Sequence, residues 1–136
     1  MGTITRFEDI DAWQTARKLT NTIYDLTADG KFAKDFGLKD QIQRAAVSVM
    51  SNIAEGFESH TQAQFIELLG RARGSAGEVR SQLYIALDRS YINQAQFDEA
   101  YNLVDKASRQ IYRFMSYLKS QPNARRVRED RVEYNL

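Results

Sequence analysis

The sequence predicts an all-α protein, an antiparallel up-down-up-down four-helix bundle, and three observations carry that reading. Apolar residues recur every three or four positions through four successive segments, the spacing of one face of a helix. Proline occurs once in 136 residues, at Pro122, beyond the last of those segments. Alternating apolar and polar residues, the mark of a half-buried strand, form no run of useful length. Short connections between the segments favour antiparallel neighbours.

The first helix spans about residues 9–29, with Ile10, Trp13, Ala16, Leu19, Ile23 and Leu26 as its apolar stripe. Trp13 reads as a core or interface aromatic. Asp9 or Asp11 is placed to cap the start, Phe7 to fold back on the first turn, and Gly30 to end the helix. The second spans about 37–57. Its apolar positions (Ile42, Ala45, Ala46, Val47, Val49, Met50, Ile53, Ala54 and Phe57) cover roughly 200° of arc, wider than one core face requires. Two surfaces are therefore expected to bury it, its own bundle and another chain, while Arg44, Ser48, Ser51 and Glu55 make its polar face.

The third helix spans about 61–91. Phe65, Leu69, Ala72, Ala76, Val79, Leu83 and Ala86 alternate spacings of four and three, the seam geometry of a bundle. Gly70, Gly74, Gly77 and Ser81 share a different face. A glycine inside a helix costs about 1 kcal/mol relative to alanine, so this stripe points to another backbone coming close. The fourth spans about 94–119, with Asn93 as its cap. Its seam is Phe97, Tyr101, Val104, Ser108, Ile111, Met115 and Leu118, flanked by Ala100, Ala107 and Phe114. Residues 1–119 thus make one bundle domain. Residues 120–136 make an arginine-rich tail, read as disordered or as a short docking helix.

Composition narrows the function. The absence of cysteine excludes disulfides, thiolate metal ligands and cysteine nucleophiles. The single histidine, His60, excludes a multi-histidine metal site within one chain. Nineteen basic against eighteen acidic residues give a formal charge of +1, so no bulk charge announces nucleic acid or an anionic membrane. Met1 to Phe7 lacks the shape of a signal peptide, and no stretch approaches the ~18 apolar residues needed to span a bilayer. A cytoplasmic protein without membrane contact is the expectation.

Catalytic patterns are weak. A di-metal carboxylate bundle needs inward glutamates and Glu-x-x-His pairs. His60 lies in a loop, two residues after Glu58, and the seams hold no carboxylate. Ser48, Ser51, Ser75 and Ser81 have no histidine at a recognisable spacing, and no G-x-S-x-G occurs. The run from Gly70 to Ser75 lacks the Gly-Lys-Ser/Thr ending of a phosphate loop and lies in a helical pattern. No enzyme activity, cofactor or metal is expected.

Two groups of residues stand out. Asn52-Ile53-Ala54-Glu55-Gly56 is the most distinctive pentapeptide. Asn52 and Glu55 are expected to bond across to neighbouring helices, with Arg73 as the partner of Glu55, while Gly56 closes the segment. A polar ligand patch is the functional alternative. The arginines are the second group. Arg73 and Arg80 share a helical side with Tyr84, and Arg71 and Arg89 share another with Glu67 and Glu78. Such mixtures usually make a solvated face. As a phosphate-binding stripe with an aromatic, they would contact nucleic acid, together with Arg125, Arg126, Arg128 and Arg131 of the tail. In a ring of several copies each small patch would be multiplied.

Four patches resemble a known family. They are Phe7-Glu8-Asp9-Ile10 with Trp13-Gln14 and Ala16; Gly37-Leu38 with Gln41-Ile42 and Arg44-Ala45-Ala46-Val47-Ser48; Asn52-Ile53-Ala54-Glu55-Gly56; and Phe65 with Ala72-Arg73-Gly74-Ser75 and Glu78. Together they resemble the bacterial four-helix-bundle family of 23S rRNA intervening-sequence proteins. That family includes Avd, the accessory variability determinant of diversity-generating retroelements. The chain departs from it at Met50, where many members have proline, and in the proline-free stretch from Gly30 to Phe36. The resemblance implies Asn52, Glu55, Gly56, Arg73, Gly74 and Ser75 as structural signature residues. It also implies a ring-shaped homo-oligomer, a homopentamer, without enzymatic activity. For Avd-type members it implies association with a reverse transcriptase and nucleic-acid binding through basic surfaces. The resulting expectation is an oligomeric accessory factor that binds RNA or DNA, the alternative being a protein-binding scaffold without nucleic-acid affinity.

Overall fold

The computed structural model describes residues 2–121 and 132–134. A strand β1 (Gly2–Ile4) and a 3₁₀ turn (Phe7–Asp9) lead into α1 (Asp11–Leu26). A short α2 (Gly30–Lys34) follows, then α3 (Phe36–Glu58), α4 (Gln62–Asp88) and α5 (Gln94–Lys119), and a second strand, β2 (Val132–Tyr134). The four long helices form a bundle in which α1 packs on α3, α3 on α4, α4 on α5 and α5 back on α1.

The α4 seam lies where the spacing predicts it: Phe65, Leu69, Ala72, Ala76, Val79, Leu83 and Ala86 are all fully buried. On α5 the core is turned by one position. Ala100, Ala107 and Phe114 are fully buried, whereas Tyr101 and Met115 are half-buried at the edge. The small alanines let α5 sit close to its neighbours, and the larger Tyr101 and Met115 are displaced to its rim. Phe57, Phe65 and Phe114 meet edge to face, with centroids 6.1 and 5.3 Å apart.

The helix ends show why some predicted boundaries shift. Neither Asp9 nor Asp11 caps α1, whose N-cap is Ile10 without a side-chain bond. The Phe7 ring does fold back, meeting Trp13 edge-on at 5.2 Å, and Trp13 is half-buried. Gly30 does not end the first helix. The Thr27 hydroxyl donates to the Ile23 carbonyl at 2.8 Å and terminates α1 earlier, and Gly30, at φ 68°, opens α2. That short helix, unforeseen in the apolar pattern, buries Phe32 against Tyr91. Helix α4 stops at Asp88 because Ser90 turns left-handed (φ 60°). The Tyr91 amide then bonds the Ala86 carbonyl and the Ser90 amide the Leu87 carbonyl, which satisfies the last carbonyls of the helix. Asn93 caps α5 in a reciprocal box with Gln96.

The tail is not wholly without secondary structure. β2 pairs antiparallel with β1, Ile4 opposite Val132 and Gly2 opposite Tyr134, and Ile4 is buried. A strand stands where a disordered segment or a helix was expected, because an extended edge at the chain's beginning offers it hydrogen bonds. Arg125, Arg126, Arg128 and Arg131 lie outside the described residues.

Gly56 lies inside α3 and does not close it. A Cβ there would lie 2.7 Å from Phe65 Cδ1 and 3.3 Å from Leu68 Cβ, so hydrogen alone fits between α3 and α4. Gly74 differs, since a Cβ there would meet nothing within 4 Å on the outer side of α4. Gly56→Ala is therefore expected to lose about 1–3 kcal/mol through overpacking, reduced by the gain in helix propensity. Gly74→Ala gains about 1 kcal/mol in the isolated bundle. Urea unfolding of both variants checks this, and equal midpoints would contradict it.

Asp35 ties the pole formed by α2 and the α4–α5 connection. Its carboxylate accepts from the Leu38 amide at 3.1 Å and from the Tyr91 hydroxyl at 2.9 Å. The amide bond first, then the phenol, with a further contribution from Arg89, holds its pKa below the usual carboxylate value against a small opposing effect of burial. A lowered folded-state pKa gives stability that is full above the ordinary value of 3.8 and fades as pH falls through the lowered one. Melting temperatures from pH 7 to 2 should fall less for Asp35→Asn than for the wild type. Parallel curves would contradict the assignment.

Candidate functional site

Of the signature residues, Asn52, Gly56 and Ser75 lie at the α3–α4 contact, though in a different bonding pattern from that expected. Asn52 does not reach another helix. Its Nδ2 donates to the Ser48 carbonyl and Ser48 Oγ, both at 2.9 Å, one turn back in α3. The crossing is made by Ser75, whose hydroxyl donates to Ser48 Oγ at 2.9 Å. Asn52, Ser48 and Ser75 thus form a short polar chain between α3 and α4, with Ser75 buried.

No ion pair joins Glu55 to Arg73. Glu55 is exposed and lines, with Glu58, Gln64, Glu67 and Arg71, an open cleft of about 380 Å³. Arg73 stands two residues beyond Arg71, about 200° around α4, and so faces α5 instead of α3. Its guanidinium lies over the Tyr112 ring, 4.9 Å from the centroid. This is the position that sequence spacing alone could not assign, because it fixes the phase of a residue but not which neighbour that phase meets.

The three helical arginines fall into two groups. Arg71 pairs with Glu67 one turn away on α4, at 3.1 Å and well exposed. Arg73 and Arg80 instead share the α5-facing side of α4 with Tyr84. Arg80 approaches Asp105 at 3.8 Å, and Asp105 also accepts from Arg109 at 3.1 Å. Tyr84 packs on Phe97 and Tyr101, with centroids 5.0 and 6.0 Å away. The Tyr101 hydroxyl, first by charge and then by its hydrogen bond, pushes the Tyr84 phenol above the usual range, and Arg80 pulls it the other way. One band therefore runs along the α4–α5 edge: Tyr84 with Tyr101, then Arg80 with Asp105 and Arg109, then Arg73 with Tyr112. Tyr84 is 50% and Tyr112 56% exposed. The sequence singled out Arg73, Arg80 and Tyr84. Tyr112, Asp105 and Arg109 went unmarked, although each follows Tyr101 at helical spacing.

The opposite side, between α1 and α3, exposes apolar side chains beside the Gln43–Thr27 bond. Tyr24 and Val47 are exposed there, and Met50 and Ala54 are half-buried. These are the surplus positions of the wide apolar arc of α3. Among the described residues no group of three or more histidine, aspartate or glutamate side chains could hold a metal ion. No described helix is long and apolar enough to cross a membrane.

Fold and surface together define a small all-α bundle whose aromatic and charged groups stand on open faces. The chain belongs to the 23S rRNA-intervening sequence protein family, whose model matches residues 8–113. It is also similar to a crystal structure from Bacteroides thetaiotaomicron, described as a protein with unknown function from the S23 ribosomal protein family. There the TM-score is 0.70 at 21% identity, over 76% of this chain and 97% of that one, a likeness of fold. None of the curated proteins compared matches the chain.

Proposed function

We propose that the protein is a non-enzymatic, oligomeric accessory factor of the cytoplasm that binds RNA or DNA along its α4–α5 edge. The observation that carries this reading is the band of Arg73, Arg80 and Arg109 interleaved with Tyr84, Tyr101 and Tyr112. Cations meet phosphates, and rings meet bases. The partner class that the resemblance implies is a reverse transcriptase, or ribosomal RNA itself. The long helices run antiparallel, up-down-up-down. Gln62 at the start of α4 bonds the Leu118 carbonyl at the end of α5, while Tyr84 near the end of α4 meets Phe97 near the start of α5. Fluorescence anisotropy with labelled RNA and DNA at ~50 and ~200 mM salt tests the binding. Affinity should fall with salt by the few counterions that three arginines release, and Arg73→Ala with Arg80→Ala should weaken it and flatten the slope. No binding at low salt would refute it.

Assembly belongs to the same reading. A closed ring of more than two copies uses two different patches, one meeting the other around the ring. The apolar α1–α3 face, with Tyr24 and Val47, is one. The outer stripe of α4, Gly74 and Ser81 beside exposed Ile85, is the other. Light scattering should give a multiple of 15.7 kDa, five-fold on the family resemblance. Gly74→Leu should lower that mass while leaving the helical content intact, since the site is open within one chain. A 15.7 kDa species at micromolar concentration would refute assembly.

One observation favours the scaffold alternative. Phe36 is 76% exposed at the pole of the bundle, beside an open cavity of about 530 Å³ lined by Gly37, Lys39, Asp40 and Gln43. An exposed phenylalanine beside a recess suits a protein partner. That reading gains ground if the anisotropy experiment finds no nucleic acid bound.

A further inference from the structure

We infer that the α4–α5 edge selects single strands, with Tyr84 and Tyr112 as the surfaces on which unpaired bases stack. The inference rests on the nucleic-acid reading above and narrows it to one substrate class.

The first argument is the economy of charge. A duplex binder neutralises many phosphates, commonly six to ten, when binding is strongly salt-dependent. This edge carries three arginines, and Asp105 occupies the space between two of them. Electrostatics on that scale leaves most of the affinity to come from elsewhere. Base stacking on aromatic rings supplies it, and it is open only to bases that are not already stacked in a duplex.

The second argument is the setting of the rings. Tyr84 and Tyr112 are half exposed, yet each already has a partner on one side of its ring, Tyr84 the Phe97 ring and Tyr112 the Arg73 guanidinium, which leaves the other side open to a base. A ring already fixed loses little freedom when a base settles on it. The two rings stand at opposite ends of the band. Tyr101 beside Tyr84 and Tyr112 itself are eleven residues apart on α5, about 16 Å along the helix. That length matches about five internucleotide steps at ~3.4 Å each. Arg80 and Arg109 lie between the rings, where the connecting phosphates would pass.

The test compares a labelled twelve-residue oligouridine, the corresponding oligothymidine and a twelve-base-pair duplex on the full chain by anisotropy. Single strands should bind more tightly than the duplex. Tyr84→Ala and Tyr112→Ala should each lower single-strand affinity by about tenfold or more while leaving the salt slope and duplex binding unchanged. Tyr84→Phe and Tyr112→Phe should retain affinity, since the ring and not the hydroxyl does the stacking. Should the alanine variants unfold, photo-crosslinking of 5-iodouridine-containing oligouridine to the wild-type chain, mapped by mass spectrometry, should place adducts on Tyr84 and Tyr112. Equal affinity for single strand and duplex, unaltered binding by folded alanine variants, or crosslinks confined to other residues overturns the inference while leaving nucleic-acid binding intact. Absence of binding to all three probes overturns both.

Discussion

The close approach of α3 to α4 at Gly56 is the constraint on which the remainder of the molecule depends. With only hydrogen between the Gly56 backbone and the Phe65 ring, α3 and α4, the most extensively packed pair of helices, meet without a gap. That contact sets Phe65 where it can touch both Phe57 and Phe114, and so binds α3, α4 and α5 into one aromatic centre. Two turns along the same interface, Ser48 and Ser75 exchange a hydrogen bond that suits one register of the helices and no neighbouring one. Apolar packing supplies the stability, and the polar chain through Asn52 supplies the uniqueness. Everything on the α4–α5 edge inherits its alignment from that registered pair, because α4 presents one side to α3 and another to α5.

Much of this was legible in the chain itself. The α4 seam was readable residue by residue, and α5 begins and ends within the span predicted from Asn93 and its periodicity. Long amphipathic helices announce themselves because burial repeats with the helix period. The shorter devices did not. α2 has only Phe32 as an apolar anchor, too little for a pattern to detect. The left-handed turn at Ser90 uses a residue that seldom adopts it, so the predicted helix ran on to Tyr91. The one-position rotation of α5 arises from competition between alanine and tyrosine for the interior, which spacing cannot decide.

The polar residues were less legible than the apolar ones, for a different reason. A buried stripe has one place to go, the core, whereas a charged residue has a choice of neighbours. Glu55 and Arg73 fall on sides of their helices that never meet, and Arg73 finds the Tyr112 ring instead. Of the residues the resemblance marks, Asn52, Gly56 and Ser75 lie together at the α3–α4 contact: two belong to a hydrogen-bonded chain and the third permits the close approach. The α1–α3 side, with Tyr24 and Val47, and the aromatic, cationic α4–α5 side stand across the bundle from one another.

The pairing of β1 with β2 joins residues some 130 positions apart, far more distant in sequence than the helix pairings among the described residues. In an unfolded chain, closing a loop of that size carries a large entropic cost, and three paired residues return little. Once the helices have assembled, the separation between the two strands is already short and most of that cost has been met. The ribbon is thus a late event in folding, dependent on the bundle and contributing nothing to its nucleation. Along the reverse path it is the first element to part, so the two ends of the chain can separate while the helical core remains whole.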